Sequence, residues 1–383
     1  LISFSSLPEL SLYVHLPWCI RKCPYCDFNS HEQRGDIPED AYLAALIQDL
    51  ESSLPLIWGR PLVSVFIGGG TPSLFSAESI ARLLSEIRAR VRLLPGAEIT
   101  MEANPGSFEA DRFTGFAQAG VNRLSLGVQS FQGHQLETLG RVHNPEQAFH
   151  AAEHAVKVFP RVNLDLMFGL PGQTLRELET EIDQAVALGS EHLSMYQLTL
   201  EPNTQFAVRP PPNLPDDDQL ADMQQLVVER LAKAGFERYE ISAYARRGAQ
   251  AQHNLNYWTF GDYLGIGAGA HGKISSAHGI VRTLKPRTPA LYMSDPSEAK
   301  TESVQVDDLP FEFMLNALRL TQGVAVSRWS QTTGMSVGQH PWLLGALAKA
   351  QASGLMAQEP GRFAATPRGL DMLTNLQSFF LRG

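Results

Sequence analysis

Apolar and polar positions alternate between two periods from Leu12 to about Leu231. Short runs rich in Val, Ile, Leu and Tyr, several ending at Gly or Pro, predict β-strands at Leu12–Leu16, Leu62–Ile67, Glu98–Glu102, Arg123–Gln129, Val162–Met167 and His192–Leu200. Between them the apolar residues recur at helical spacing. In Ala41–Leu54 they are Leu43, Leu46, Ile47, Leu50 and Leu54; later come Leu175, Leu178, Ile182 and Ala185, and then Leu220, Met223, Val227 and Leu231. Ser76 and Thr174 stand where helix N-caps belong.

Six β-then-α units in a row predict parallel strands with helices outside them. Six is two short of the closed eight-stranded barrel, so the expected fold is α/β, a partial (β/α)6 TIM-type barrel. Polar residues at the C-terminal ends of these strands agree with it, because that is where such folds carry their sites. Here the ends carry Cys19, Gly68–Thr71, Glu102, Gln129 and Asp165.

The pattern changes after the sixth strand. Pro210–Pro212 and Pro215, with three aspartates, read as an exposed connection before the sixth helix. Then come a strand at Phe236–Ala243 and a Gly-rich stretch, Gly261–Gly272. From about residue 300 the periods predict helices at Asp307–Leu320 and Trp342–Ala352. A small hairpin, Leu355–Gln358 with Arg362–Thr366, turns at Glu359–Gly361. The expected division is a core at 1–235, a barrel-associated segment at 236–299 and a winged-helix-like α+β appendage at 300–383.

Composition narrows the function. The 383 residues are 44% hydrophobic and 19% charged, as in an ordinary globular protein. A formal charge of −9 with no basic stretch to offset it argues against a nucleic-acid partner. No apolar run reaches the roughly 18 residues of a membrane span, and Leu1–Trp18 holds no Lys or Arg to start a signal peptide. A cytoplasmic location without stable membrane insertion is expected.

The three cysteines all fall within His15-Leu-Pro-Trp-Cys19-Ile-Arg-Lys-Cys23-Pro-Tyr-Cys26-Asp-Phe28. Thiolates are soft ligands that suit zinc or iron–sulfur clusters. A structural zinc site wants four ligands, so it would have to recruit His15 or His31. Three thiolates on a cubane instead leave one iron free for an exchangeable ligand.

The Cys-x3-Cys-x2-Cys loop after a first barrel strand resembles the radical SAM superfamily. There the open iron of a [4Fe–4S] cluster takes the amino and carboxylate groups of S-adenosylmethionine (SAM), and reduction by an electron donor yields a 5′-deoxyadenosyl radical. The resemblance extends to the coproporphyrinogen dehydrogenase-like branch. It implies that Cys19, Cys23 and Cys26 hold the cluster, flanked by Tyr13 and Tyr25. It implies further that Gly69, Gly70 and Thr71, in Gly68-Gly-Gly-Thr-Pro72, meet the SAM amino group, and that Glu102, Gln129, Arg141 and Asp165 are further SAM contacts. Singly, each polar residue also reads as a salt-bridged strand end and the glycines as a tight turn.

Two members of this branch compete. One is the oxygen-independent coproporphyrinogen III dehydrogenase, an enzyme of heme biosynthesis; the other is a heme chaperone of the HemW type. The enzyme's pattern has a further cysteine where this chain has Phe28, whereas the chaperone's Cys-Asp-Phe matches Cys26-Asp27-Phe28. His253-Asn-Leu-Asn-Tyr257-Trp258 also matches the chaperone's His-Asn-x-x-Tyr-Trp. The resemblance therefore implies a heme-binding chaperone, with an acceptor protein as partner and no coproporphyrinogen decarboxylation. Imidazole ligates heme iron and aromatic rings pack on its face, so His253, Tyr257 and Trp258 are candidate heme contacts. The same residues also read as a hydrogen-bonded turn packed on the barrel, and His271 is a second candidate ligand.

Overall fold

The computed structural model describes residues 2–106 and 110–382. Its six core strands are β1 (Leu10–Leu16), β2 (Leu62–Gly69), β3 (Leu93–Ala103), β4 (Arg123–Gln129), β5 (Arg161–Phe168) and β6 (His192–Gln197). They pair in sequence order and all in parallel. The helices between them include α1 (Glu39–Ser53), α2 (Ala77–Arg90), α3 (Phe113–Ala119), α4 (Pro145–Val158), α5 (Leu175–Ala187) and α6 (Asp217–Lys233). Both predicted N-caps form. Ser79 N donates to Ser76 Oγ at 3.1 Å, and Thr174 closes a capping box with Glu177. Such caps are each worth about 1 kcal/mol.

Alternation along the strands sorts two surfaces. Leu12, Val65, Ile67, Ile99, Met101, Leu124, Leu126, Leu164, Leu166 and Leu193 belong to one buried apolar cluster with the helix faces. The intervening residues, such as Ser64, Glu98, Thr100, Arg123, Ser125, Asn163, Asp165 and Ser194, are polar. Helices cover the outside of the arc, so the polar set faces its lumen.

Past the sixth unit the sheet grows at both edges. On one side β6 pairs antiparallel with β8 (Ala243–Ala245), which pairs with β7 (Glu237–Arg238). The single strand predicted at Phe236–Ala243 is thus two short ones, because the chain reverses between them. On the other side β9 (Asp262–Ile266) lies parallel to β1, followed antiparallel by β10 (His271–Ser276), β11 (Gly279–Leu284) and β12 (Lys300–Ser303). The Gly-rich stretch is therefore largely strand. Gly265 and Gly272 let these strands close on each other, since a Cβ at Gly265 would sit 2.0 Å from the His271 carbonyl oxygen.

A second apolar cluster, with Phe313, Trp329, Leu343, Phe363 and Phe380, unites α8 (Leu309–Ala317), α9 (Val326–Thr333) and α10 (Pro341–Ala352). The predicted hairpin is present through the Met356–Ala365 bridge, and its return strand β14 (Arg362–Phe363) pairs with β13 (Val324–Ala325). Helices with this small β-element give the expected winged-helix-like appendage. Among the described residues no helix is long and apolar enough to cross a membrane.

Candidate functional site

The cysteine loop leaves β1 and is fixed from both sides. Trp18–Cys19 pairs with His31–Glu32, and Thr71 N donates to the Trp18 carbonyl at 2.7 Å. Asn29 Nδ2 donates to the carbonyls of Ala268 (2.9 Å) and Arg287 (2.8 Å), far along the chain. Gly69 has φ +122°, and a Cβ on Gly70 would sit 2.5 Å from the Trp18 oxygen. Only glycine lets this segment pass so close to the loop.

All three cysteines line one cavity of about 350 Å3 that descends into the lumen. Gly69, Gly70 and Thr71 form part of its wall, together with Tyr25, Glu102, Gln129, Arg141 and Asp165. The structure thus brings together the predicted cluster and SAM residues with the exception of Tyr13. That ring stacks on Phe66 with centroids 6.2 Å apart, and its hydroxyl meets His15 Nδ1 at 2.9 Å. Tyr13 supports the wall through Phe66 and does not form it.

Each polar group has a defined setting. Glu102 Oε2 accepts from Gly69 N at 3.0 Å; burial, and secondarily the Asp165 charge, pushes its carboxyl up to about 8. Asp165 accepts from Ser125 Oγ (2.9 Å) and Asn163 Nδ2 (2.8 Å), with burial raising its pKa despite these bonds. Arg141 Nη2 donates to Asn104 Oδ1 (2.6 Å) and the Gly127 carbonyl (2.9 Å), while Nη1 lies 3.7 Å from Cys23 Sγ. Gln129 sits at a register shift of β4 with φ +67°. A side chain in that region is strained, which is characteristic of positions held for a ligand.

The donor chemistry fits a cubane with SAM. His15 uses Nε2 on the Asn29 carbonyl and Nδ1 on Tyr13, and His31 Nε2 meets the Arg287 carbonyl, so neither imidazole turns to the thiols. Among the described residues no three His, Cys, Asp or Glu groups converge on one point as ligands of a single ion. A cubane instead takes its three thiolates on three different irons. The glycine edge and the acids then face the volume next to the cysteines, where a cationic ligand such as SAM is complemented.

The histidine segment is α7 (Gln252–Trp258), set across the barrel. His253 packs on Phe66 (centroids 4.9 Å apart) and its Nδ1 lies 3.0 Å from Ser64 Oγ. Burial, with the Arg123 charge, lowers its pKa to about 3. Tyr257 packs on Tyr263 at 4.9 Å, and Trp258 lies under the Arg319 guanidinium at 4.2 Å. Tyr257 and Trp258 also pack edge to face on each other, with centroids 5.0 Å apart, while His253 has Phe66 and Ser64 as its neighbours. From α7 it is Asn254 that lines the lumen cavity. His271 is exposed at the start of β10.

Several cavity residues escaped the sequence reading: Asn104, Arg123, Ser125, Asn163, His192, Ser194 and Tyr196. Their signal is the polar half of the strand alternation.

Comparison with known proteins decides the family. Residues 13–185 match the radical SAM superfamily model and residues 304–372 match the HemN C-terminal domain. The heme chaperone HemW of Escherichia coli is 47% identical, with 98% of this chain and 99% of that protein covered. The chain belongs to the HemW family of radical SAM proteins. The heme chaperone HemW of Haemophilus influenzae is 51% identical over 86% of this chain and 88% of its own length, and that of Bacillus subtilis 38% over 88% and 91%. Among solved structures, the coproporphyrinogen III oxidase HemN of Escherichia coli superposes with a TM-score of 0.81 at 25% identity, covering 98% of this chain and 90% of that one.

Proposed function

We propose that this protein is a cytoplasmic heme chaperone that binds heme, keeps a SAM-liganded [4Fe–4S] cluster beside it, and passes heme to an acceptor protein. The observation that carries the cluster half is the single cavity shared by Cys19, Cys23, Cys26, the Gly69–Thr71 edge, Glu102, Gln129, Arg141 and Asp165. When bound, the cluster supplies an open iron for SAM and a route for one electron from an external donor. The thiols supply its ligands, Arg141 orients Asn104 and the Gly127 carbonyl next to Cys23, and Glu102 and Asp165 offer acceptors to the ammonium and hydroxyl groups of SAM.

The chaperone half is supported by family membership and by Phe28 at the position where the related enzyme's pattern has a further cysteine. The proposed heme ligand is His253, with Tyr257 and Trp258 in support. Ser64 donates to Ser11 Oγ at 2.8 Å and so receives the Nδ1 proton of His253, which leaves Nε2 with the free lone pair. A histidine held through one nitrogen and presenting the other is the usual form of a metal ligand. The chain has no cysteine beyond the three of the cluster, so any covalent link to heme would use another residue.

Anaerobic reconstitution followed by hemin titration tests this reading. The expected result is a Soret shift that His253→Ala diminishes, SAM binding by the reconstituted cluster, and no consumption of coproporphyrinogen III. Turnover of coproporphyrinogen III would overturn the chaperone assignment, and an unchanged Soret shift in His253→Ala would remove that ligand.

A further inference from the structure

The lumen continues below the SAM subsite. Arg123 opens β4, four residues before Gly127, which at strand rise places its backbone ~13 Å deeper than the Gly127 level. Its residue is only 2% exposed, yet it lines the cavity. Its side chain makes no hydrogen bond to any described residue, and its Nε is buried without a partner.

The nearest carboxylate does not neutralise it. Glu98 Oε2 lies 3.9 Å from Arg123 Nε, too far for a hydrogen bond, and is engaged by Arg161 Nη1 at 2.8 Å. The other oxygen, Oε1, accepts from His253 N at 3.3 Å. One carboxylate thus faces two guanidinium groups, and the other acid that feels the Arg123 charge, Asp165, is hydrogen-bonded by Ser125 and Asn163 instead, with burial raising its pKa. The neighbouring imidazoles add no anion: His192 is bound between Asn163 and Tyr239, and both it and His253 are held neutral by burial and by Arg123 itself. Thr100 stands opposite Arg123 in register, and its buried hydroxyl also has no partner.

A buried guanidinium with no side-chain hydrogen bond and no carboxylate paired to it alone is costly to the fold. A planar acceptor with two oxygens matches its fork. We propose that Arg123 is the receptor for a carboxylate carried by a ligand that enters the lumen past the SAM subsite, with the Thr100 hydroxyl beside it. The ligand class is an unbranched carboxylic acid or the propionate arm of a larger molecule. This assignment stands on the lumen geometry and does not depend on His253 as heme ligand.

The test is the thermal midpoint of the cluster-bearing protein with sodium propionate, with sodium chloride at equal ionic strength, and with propylammonium chloride. Propionate is expected to raise the midpoint by about 2 °C or more near saturation, and the other two salts are not. Arg123→Met should lose the propionate response while its ligand-free midpoint stays equal to or above that of the parent, because a costly buried charge is gone. If Arg123→Met does not fold, Arg123→Lys should fold with a weakened propionate response, and the Nε–H resonance of Arg123 in the parent should move on titration with propionate. Loss of the propionate effect in the presence of hemin identifies a porphyrin arm as the carboxylate, and an additive effect identifies a separate small acid. A parent midpoint indifferent to propionate, or a response retained in Arg123→Met, overturns the proposal.

Discussion

Gly69 N and Glu102 Oε2 are joined by a 3.0 Å hydrogen bond that ties the glycine edge beside the cysteine loop to the neighbouring strand. The bond uses one lone pair of a carboxyl group whose pKa burial has pushed up to about 8. Between the ordinary value of 4.5 and about 8, the folded protein keeps a proton there that the unfolded chain has lost. Stability from this group therefore falls as pH rises through that window. Glu102→Gln should be more heat-stable than the parent, with the gap widening from pH 5 to pH 8 and flat above it. Melting curves across that range check this.

The same group links SAM binding to pH. A cationic ligand favours the carboxylate, so binding should release a proton from Glu102 and tighten as pH rises toward 8. Glu102→Gln should weaken SAM about tenfold or more and flatten the profile. Calorimetric titration in two buffers of different ionisation enthalpy reads both effects.

Arg141 bonds Asn104 and the Gly127 carbonyl through one nitrogen and approaches Cys23 through another. Arg141→Lys cannot keep this fork. It should reduce SAM affinity by about tenfold while iron and sulfide content stay at the parent level. Loss of iron in parallel would mean that Arg141 serves the cluster first.

Ser64 orients His253 through Nδ1 at 3.0 Å. Ser64→Ala should lower hemin affinity by about 10-fold or more, in keeping with the effect of removing the group that holds a ligating imidazole. Hemin titration of Ser64→Ala beside His253→Ala tells the two roles apart, since the serine variant keeps the ligand and should keep the position of the Soret band.

Asp49 is fully buried in α1 and is bound by Lys285 Nζ (2.6 Å), Tyr292 Oη (2.8 Å) and Gly267 N (3.1 Å). Lys285→Met should destabilise the protein by about 3–5 kcal/mol, because it strands a buried carboxylate. Pairing it with Asp49→Leu should recover much of the loss. Urea denaturation of the two variants measures the difference.

The strand–helix order and the cysteine chemistry were legible because each depends on neighbours in sequence. The six strands lie where the apolar runs put them, with ends moved by a few residues: β3 starts at Leu93, and β6 stops at Gln197. The lumen was less legible, since Arg123, Asn163 and His192 show a role only when three strands are set side by side. The resemblance implied that Tyr13 flanks the cluster; its ring packs on Phe66, its register partner on β2, a neighbour that the motif itself does not record. Gly265 and Gly272 read as loop because composition cannot tell a turn from a tight strand pair. The setting of His253 apart from the Tyr257–Trp258 pair comes from α7 resting among the barrel, β9 and the appendage, none of which its own sequence records.

The strand that launches the cysteines is an interior strand. Its outer neighbour is β9, and the loop itself hangs from the carbonyls of Ala268 and Arg287. During synthesis on the ribosome, Cys19, Cys23 and Cys26 emerge about 250 residues before the chain that clamps them. The support under the cysteine loop is thus complete only once the chain has been made as far as Arg287, so the two ends of the barrel must meet before the thiols gain their final setting.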